Sequence, residues 1–130
     1  LVGATQNPNK LGYGLARNLV QSNFPGEIYF INPAGGTLLG KQMYNNILEV
    51  PDPADMAILL IPAPGVPQVL RDCGRRGINA VVIQSGGCRE TGLAGAALEE
   101  ECLAIAQPRV IFLLRCPSLA MRWRQWRRAK

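Results

Sequence analysis

The chain has 130 residues, of which 48% are hydrophobic, and this predicts one soluble globular domain with a single core. The net charge of +5 is uneven, because residues 1–108 carry 7 basic and 9 acidic side chains, whereas residues 109–130 carry 7 basic side chains and none that is acidic. No apolar run reaches the roughly 20 residues of a membrane span, and a chain without histidine cannot use a phosphohistidine or a histidine general base.

Apolar and polar segments alternate along the chain. In order, the predicted elements are a strand stub at residues 1–2, a helix at 11–20, strands at 27–31 and 55–61, a helix at 65–76, a strand at 78–83, a helix at 91–106 and a strand at 109–114. Residues 37–50 are ambiguous, with an extended piece near 42–44 and a helical turn at 45–49. The uninterrupted apolar run at 55–61 predicts a central parallel strand that is covered on both faces. The alternation predicts an α/β protein with a Rossmann-like open parallel sheet and helices on both faces, in a single domain.

The end of the chain differs in composition from the rest. In the last helix, Glu99, Glu100 and Glu101 are predicted to form the solvated face. After this helix, both tryptophans of the chain occur among arginines in residues 109–130. We therefore divide the chain into a domain at 1–108 and a last strand with an atypical basic tail at 109–130. Interleaved Arg and Trp could bind single-stranded nucleic acid or an anionic membrane. A truncated or frame-shifted reading of a longer gene is the favoured interpretation, and nucleic acid is not the expected partner.

The cysteines and the start of the chain indicate the compartment. Cys73, Cys88, Cys102 and Cys116 form no C-x-x-C pair, so they are predicted to be buried thiols rather than zinc ligands. Cys88 follows two glycines, and a reactive thiol is the alternative there. The chain begins on an apolar strand without a charged leader, and together these features predict a cytoplasmic protein.

Four loops are predicted to meet at the carboxyl ends of the strands, where open α/β sheets bind ligands. They span residues 3–10, 32–36, 62–65 and 85–88, and all contain Gly, Pro or small polar residues. The first loop opens a helix, an arrangement that binds phosphate groups. Thr5 and Gln6 can donate hydrogen bonds there and Lys10 adds a positive charge. Alternatively, residues 7–9 form an ordinary turn and Lys10 is solvated.

The first loop does not match the dinucleotide fingerprint. The spacing G-x-G-x-x-G would need glycines at positions 3, 5 and 8, but Thr5 and Pro8 stand there. The second strand ends in Asn32-Pro33, where an NAD site has an acid for the ribose hydroxyl. A phosphorylated ribose would meet no repulsion at this point. Pro62-Ala63-Pro64 offers a rigid apolar surface for an adenine ring, or simply ends a strand.

Five segments resemble, in order and spacing, the CoA-binding domain of NDP-forming acyl-CoA synthetases: G-A-T-Q-N-P-N-K-L-G, I-N-P, L-L-G-K-Q-M-Y, A-I-L-L-I-P-A-P and V-I-Q-S-G-G. This family includes ADP-forming acetyl-CoA synthetases and the α subunit of succinyl-CoA synthetase. The resemblance covers residues 1–108 and implies that the chain binds CoA or acyl-CoA, with further synthetase domains or a β subunit as partners. In the family, acyl-CoA forms through a phosphohistidine on a neighbouring domain. The isolated chain is therefore expected to bind CoA without turning it over.

The resemblance also implies the binding residues, and it implies no catalytic or metal-binding residue. Those expected at the CoA phosphates are Gly3, Ala4, Thr5, Gln6, Lys10 and Gly12; at the adenosine end, Asn32 and Pro33; beside the adenine and its linker, Ile61, Pro62, Ala63 and Pro64; and along the pantetheine path, Ser85 and Gly86. Two other functions stay open: a stand-alone regulatory CoA-binding protein and an NAD(P)-binding oxidoreductase domain.

The chain departs from the family pattern in two places. Family members often have a Lys after the Asn-Pro pair, suited to the 3′-phosphate of CoA, whereas this chain has Ala34-Gly35. Lys41 and Arg17 are the candidates to replace it, and without either the affinity should be weaker. The family strand also continues into G-P-N-C, which is absent after Ile111.

Overall fold

The computed structural model describes residues 1–51, 53–109 and 112–115. Within these ranges lie three α-helices and six strands: α1 (Leu11–Gln21), β1 (Phe30–Ile31), β2 (Thr37–Leu38), β3 (Lys41–Tyr44), β4 (Met56–Leu59), α2 (Val66–Arg75), β5 (Ala80–Ile83), α3 (Leu93–Ala106) and β6 (Phe112–Arg115). The predicted alternation is confirmed, although the strand predicted at 27–31 pairs only over its last two residues. The basic tail from residue 116, with Cys116, lies outside the described residues, so the boundary at 108 stays a prediction.

The strands form one sheet around Val2. Strand β1 pairs in parallel with β3, and β4, β5 and β6 form two further parallel ladders. Val2 joins the two halves, because it makes parallel bridges to Ile31 and to Leu59. The order is β2–β3–β1–Val2–β4–β5–β6. The chain therefore fills one side of Val2 before it crosses to β4, and the strand order reverses between Val2 and β4. Doubly wound sheets bind their ligands above such a reversal.

Helices cover both faces of the sheet, as predicted. Phe30 and Ile31 are neighbours in β1 and point to opposite faces. Phe30 packs in a cluster with Ala16 of α1, whereas Ile31 belongs to a larger cluster with residues of α2 and α3, among them Leu70 and Cys102. Two cores on opposite faces, rather than the single core predicted from chain length, hold the domain together.

Strand β4 is buried on one face only. Ala57 and Leu59 belong to the core shared with α2 and α3, but Ile58 is half-buried and Met56 is 55% exposed. The prediction of a strand covered on both faces is therefore only half correct. Among the described residues, the cluster of α1 contains residues of β1, β2 and β3 but none of β4, so α1 does not extend over this face of β4.

One pair departs from the parallel pattern. Strand β2 runs antiparallel to β3, with Leu38 opposite Lys41, so Leu39 and Gly40 form a two-residue turn. Both have positive φ, +50° and +77°, which is typical of a type I′ hairpin. Asn and Gly are the residues that favour this turn, whereas leucine is strained in it. Because Leu39 is atypical of this turn, the sequence does not predict the hairpin.

Leu39→Asn is expected to raise the free energy of unfolding by about 1 kcal/mol, because asparagine tolerates positive φ better than leucine. The midpoint of urea denaturation measures this change. Leu48→Asn is the matched control, since Leu48 is similarly exposed, at 41% against 38% for Leu39. The backbone of Leu48 is not in the positive-φ region. Equal effects of the two substitutions would contradict the strain at Leu39.

The acidic triplet of α3 is not uniformly solvated. Glu99 is 4% exposed and its Oε1 lies 3.6 Å from Nε of Arg89. Gly95, Glu99 and Cys102 are buried at helical spacing, so Glu99 shares the inner face of the helix. Glu100 and Glu101 are exposed and form ion pairs with arginines at 3.1 and 2.8 Å. The sequence prediction is thus wrong for Glu99, because three consecutive residues of a helix cannot share one face.

The cysteines that the structure describes, Cys73, Cys88 and Cys102, are buried, as predicted. Burial raises the pKa of the Cys73 thiol to about 12, and the neighbouring charge of Asp72 acts in the same direction. This thiol therefore stays protonated and unreactive at neutral pH. Among the described residues, no helix is long and apolar enough to cross a membrane, and no group of acidic, Cys or His side chains could hold a metal ion.

Candidate functional site

A cleft of about 930 Å³ opens where the strand order reverses, within the usual size range of cofactor pockets. It runs from the start of α1, past the ends of β1 and β3, to α2 and the end of β5. Ten of the predicted cofactor-binding residues line it: Gly3, Thr5, Lys10, Gly12, Asn32, Pro33, Ile61, Pro62, Ser85 and Gly86. Ala4, Gln6, Ala63 and Pro64 are not among the lining residues. The structure thus brings residues from four separate loops to one surface.

Two glycines bring the first helix close to the sheet. Gly3 has a φ of +97°, and a Cβ atom there would overlap the carbonyl group of Leu60. A Cβ atom on Gly12, in the first turn of α1, would overlap the carbonyl oxygen of Gly3. The helix therefore begins directly on the backbone that leaves the sheet, and only glycine permits this approach.

The N-terminus of α1 is not capped by its own side chain. Lys10 is the N-cap residue and makes no capping hydrogen bond. Side chains that accept hydrogen bonds usually satisfy one of the first amides of a helix. The amides of Lys10 and Tyr13 donate to backbone carbonyl oxygens, each at 3.1 Å, whereas Leu11 and Gly12 line the cleft beside Gly3 and Thr5. Backbone amides in the first turn of a helix can bind an anion. Lys10 adds a full positive charge at the same point.

Residues 5–9 form a turn that is stabilised by its own side chains. Thr5 Oγ1 accepts a hydrogen bond from the Asn7 amide at 3.2 Å, and Asn7 Oδ1 accepts one from the Asn9 amide at 3.0 Å. The alternative prediction of an ordinary turn at 7–9 is therefore correct. It does not conflict with phosphate binding, because Thr5 Oγ1 accepts in this bond and keeps its proton to donate.

Two predicted binding residues instead tie loops together. The Nδ2 of Asn32 donates to the Ala4 carbonyl at 2.7 Å, and its Oδ1 accepts from the Ala34 amide at 2.9 Å. The Nε2 of Gln6 donates to the Thr37 carbonyl at 2.7 Å. These bonds fix the first loop to the end of β1 and to β2. Asn32 lines the cleft with its polar atoms already engaged, whereas Gln6 faces the hairpin.

The ends of β4 and β5 are also linked. Ser85 is 7% exposed, and its Oγ accepts a hydrogen bond from the Ile61 amide at 3.2 Å. Ala63 is 5% exposed and lies against Gly87, which explains why it does not reach the cleft. Pro62 lines the cleft where the strand ends, while the exposed Pro64 does not. The Pro-Ala-Pro segment therefore offers one proline to a ligand rather than a continuous flat surface.

Sequence analysis missed part of the lining. These residues come from the end of β3 and from α2: Asn45, Asn46, Ile47, Gln68, Val69 and Asp72. The first three lie in the segment that was ambiguous, although paired asparagines after a strand are a usable signal. The other three lie on a helix whose apolar spacing indicated only a core contact. The edge of that apolar face borders the cleft.

Neither candidate for the missing family lysine reaches the site. Lys41 and Arg17 are not among the lining residues. Lys41 begins β3, and the ligand edge of a parallel sheet lies at the opposite, carboxyl end of the strand. The position next to Pro33 is therefore left without a cation from either residue.

Helix α1 begins where the strand order reverses, and Gly3 and Gly12 allow it to pack closely against the sheet. These features define a Rossmann-like phosphate-binding domain. The chain belongs to the CoA binding domain family, whose model matches residues 1–122. Coenzyme A is therefore its cofactor.

The relatives of this chain are CoA ligases. It is 38% identical over 111 residues to the α subunit of ADP-forming acetate–CoA ligase I from Pyrococcus furiosus, covering 82% of this chain and 24% of that one. It is 42% identical over 106 residues to trans-feruloyl-CoA synthase from an unknown prokaryotic organism, covering 82% and 15%. Among solved structures, the apo form of dinucleotide-forming acetyl-coenzyme A synthetase 1 from Ca. Korarchaeum cryptofilum matches with a TM-score of 0.81 and 35% identity, covering 87% and 24%. The chain thus spans a quarter or less of these relatives.

Proposed function

We propose that this domain holds coenzyme A with its pyrophosphate at the N-terminus of α1, and presents it to the remaining domains of an ADP-forming acyl-CoA synthetase. The observation that carries the proposal is the contact of Gly12 with the Gly3 carbonyl. It places the uncapped first turn of α1 and Lys10 at one end of the cleft. A pyrophosphate carries the charge that such a position favours.

We assign the rest of the cleft to the rest of the cofactor. Asn32 and Pro33 line the cleft after β1, where the adenosine would lie, and Ser85 and Gly86 line it after β5, where the pantetheine arm would lie. Bound there, CoA supplies the thiol that becomes acylated. The chain contains no histidine, so a phosphohistidine would come from another domain. Because one relative is an α subunit, a separate β subunit is one form that the remaining domains can take.

Calorimetric titration with CoA, dephospho-CoA and NAD tests the proposal. CoA should bind most tightly. Lys10→Ala should weaken CoA binding by roughly 1–2 kcal/mol through loss of a charge-assisted contact. Lys41→Ala is the matched control, because it removes the same charge outside the cleft. NAD binding as tight as CoA binding would contradict the proposal and favour an NAD(P)-dependent oxidoreductase domain. Equal effects of the two lysine variants would show that Lys10 is only a surface charge.

Ala34→Lys is expected to tighten CoA binding by about tenfold, since one charge-assisted contact is worth roughly this much. Ala34 is exposed and follows the lining residue Pro33, at the position where the family resemblance implies a lysine. Titration with CoA and dephospho-CoA measures the change. The gain should be confined to CoA, which alone carries the 3′-phosphate.

Ala34→Gln serves as the control for this lysine variant, because it adds a long side chain without charge. It should leave the affinity for CoA within about twofold of wild type, as expected for an exposed neutral substitution. A gain for dephospho-CoA equal to that for CoA would show that the new lysine contacts the pyrophosphate or nothing specific.

A further inference from the structure

Helix α2 brings an acidic side chain into a cleft that otherwise suits an anion. Among the lining residues that the structure describes, Asp72 is the only carboxylate, and its side chain is 15% exposed. It lies six residues after the first residue of α2, about 9 Å along the helix axis from the ligand edge of the sheet. A carboxylate repels phosphate groups. Arg75 pairs with Asp72 at 3.0 Å and offsets part of this charge, and an uncharged part of the cofactor still suits this position better than a phosphate group.

One oxygen of Asp72 is already engaged. Its Oδ1 accepts hydrogen bonds from Gln68 Nε2 at 3.2 Å and from Arg75 Nη1 at 3.0 Å. Within the part of the chain that the structure describes, no donor is assigned to Oδ2. A half-buried carboxylate oxygen that borders a cofactor cleft can accept a hydrogen bond from the ligand. Charge-assisted bonds of this kind are among the stronger ones in proteins.

The surroundings of Asp72 suit a flat base. Val69, one turn before Asp72 on α2, packs against the cluster that contains Ile31 and Ile47, and all three line the same cleft. Gln68 keeps a second Nε2 hydrogen, since only one is donated to Asp72. A carboxylate acceptor beside an amide donor matches the edge of adenine, which presents an amino group next to a ring nitrogen acceptor.

We infer that Asp72 accepts a hydrogen bond from the amino group of the CoA adenine and, together with Gln68, selects adenine over bases that carry an oxygen there. This inference rests on the proposed function, because it requires CoA to bind in this cleft. It moves the site of base recognition from the Pro-Ala-Pro segment to α2.

The test compares CoA with its hypoxanthine analogue, in which a carbonyl oxygen replaces the amino group. Wild-type protein should prefer CoA by about 10- to 100-fold, the usual range for one hydrogen bond to a charged group. Asp72→Asn should reduce this preference to within about threefold, since an amide can rotate to donate to the carbonyl oxygen. Asp55→Asn is the matched control, because Asp55 is exposed and outside the cleft, and it should keep the wild-type preference. Thermal denaturation confirms that each variant is folded.

The outcomes separate this inference from the proposed function. If wild-type protein fails to bind CoA, the proposed function fails and the inference falls with it. If CoA binds but Asp72→Asn leaves the preference unchanged, base recognition by Asp72 is refuted while the proposed function stands. Equal weakening of both ligands also refutes it, because that result places the carboxylate at a part of CoA that the two ligands share, such as the ribose.

Discussion

Gly12→Ala is expected to lower the free energy of unfolding by about 3 kcal/mol or more and to abolish CoA binding. A Cβ atom at this position would overlap the carbonyl oxygen of Gly3, which is backbone and cannot rotate away. Overpacking in a rigid contact typically costs 1–3 kcal/mol and sometimes more, so about 3 kcal/mol is the reasonable scale here. The helix would have to move away from the sheet, and its first amides would leave the pyrophosphate.

Gly14→Ala is the control for this prediction, two residues along the same helix. A Cβ atom on Gly14 would meet no atom within 4 Å. Alanine inside a helix is more stable than glycine by roughly 0.5–1 kcal/mol, so this variant should gain stability and keep CoA binding. Chemical denaturation and calorimetric titration of both variants give the comparison. Similar losses in both would mean that α1 tolerates no change at all, and that the contact with Gly3 has no special role.

The sequence predicts the architecture because the period of the apolar residues sets both the elements and their order. Runs such as 55–61 and 78–83 indicate strands, and the three-to-four spacing in 65–76 indicates a helix. Short connections then leave few topologies other than a doubly wound sheet. What local pattern does not show is how far a helix extends over a face. This is why Met56 is exposed although its strand is uniformly apolar.

The residues of the candidate site are also predictable from the sequence only in part. Glycine positions have a physical signature, and Gly3 and Gly12 line the cleft as predicted. The sequence does not show whether a polar side chain faces a ligand or another loop. The side chain of Asn32 is used to hold the Ala4 carbonyl, and that of Gln6 to hold Thr37. Asp72 could not be placed either, because a carboxylate on a helix is usually solvated.

Asn32 stands where a dinucleotide-binding domain has an acidic residue, so replacing it with aspartate is expected to have a large effect on stability. The Asn32→Asp variant is expected to lose about 2–3 kcal/mol of stability and to gain no affinity for NAD. The Nδ2 of Asn32 donates to the carbonyl oxygen of Ala4 at 2.7 Å, and Ala4 is fully buried. A carboxylate there would place a charged acceptor against another acceptor and leave a buried carbonyl group without its donor. The ribose acid of a typical NAD site is thus incompatible with this loop.

The pH dependence of this variant separates repulsion from a general loss of packing. A protonated carboxyl group can donate to the Ala4 carbonyl as asparagine does, so folding would raise the pKa of the new carboxyl above its unfolded value. A raised pKa means that the interaction is present below the unfolded pKa and is lost as the pH rises through the folded pKa. The deficit in unfolding free energy should therefore be smaller at about pH 4 than at about pH 8.

Asn45→Asp is the matched control for Asn32→Asp, because the Nδ2 of Asn45 donates to the Pro33 carbonyl at 2.9 Å in an exposed setting. Water can replace that donor, so the expected loss is at most about 1 kcal/mol. The two variants make the same change in charge and remove the same kind of donor, from a buried carbonyl group in one case and from an exposed one in the other. A deficit for Asn32→Asp that does not change with pH would contradict acceptor repulsion. Tight NAD binding by this variant would contradict the structural role of Asn32 and indicate that the side chain at position 32 contacts the ribose.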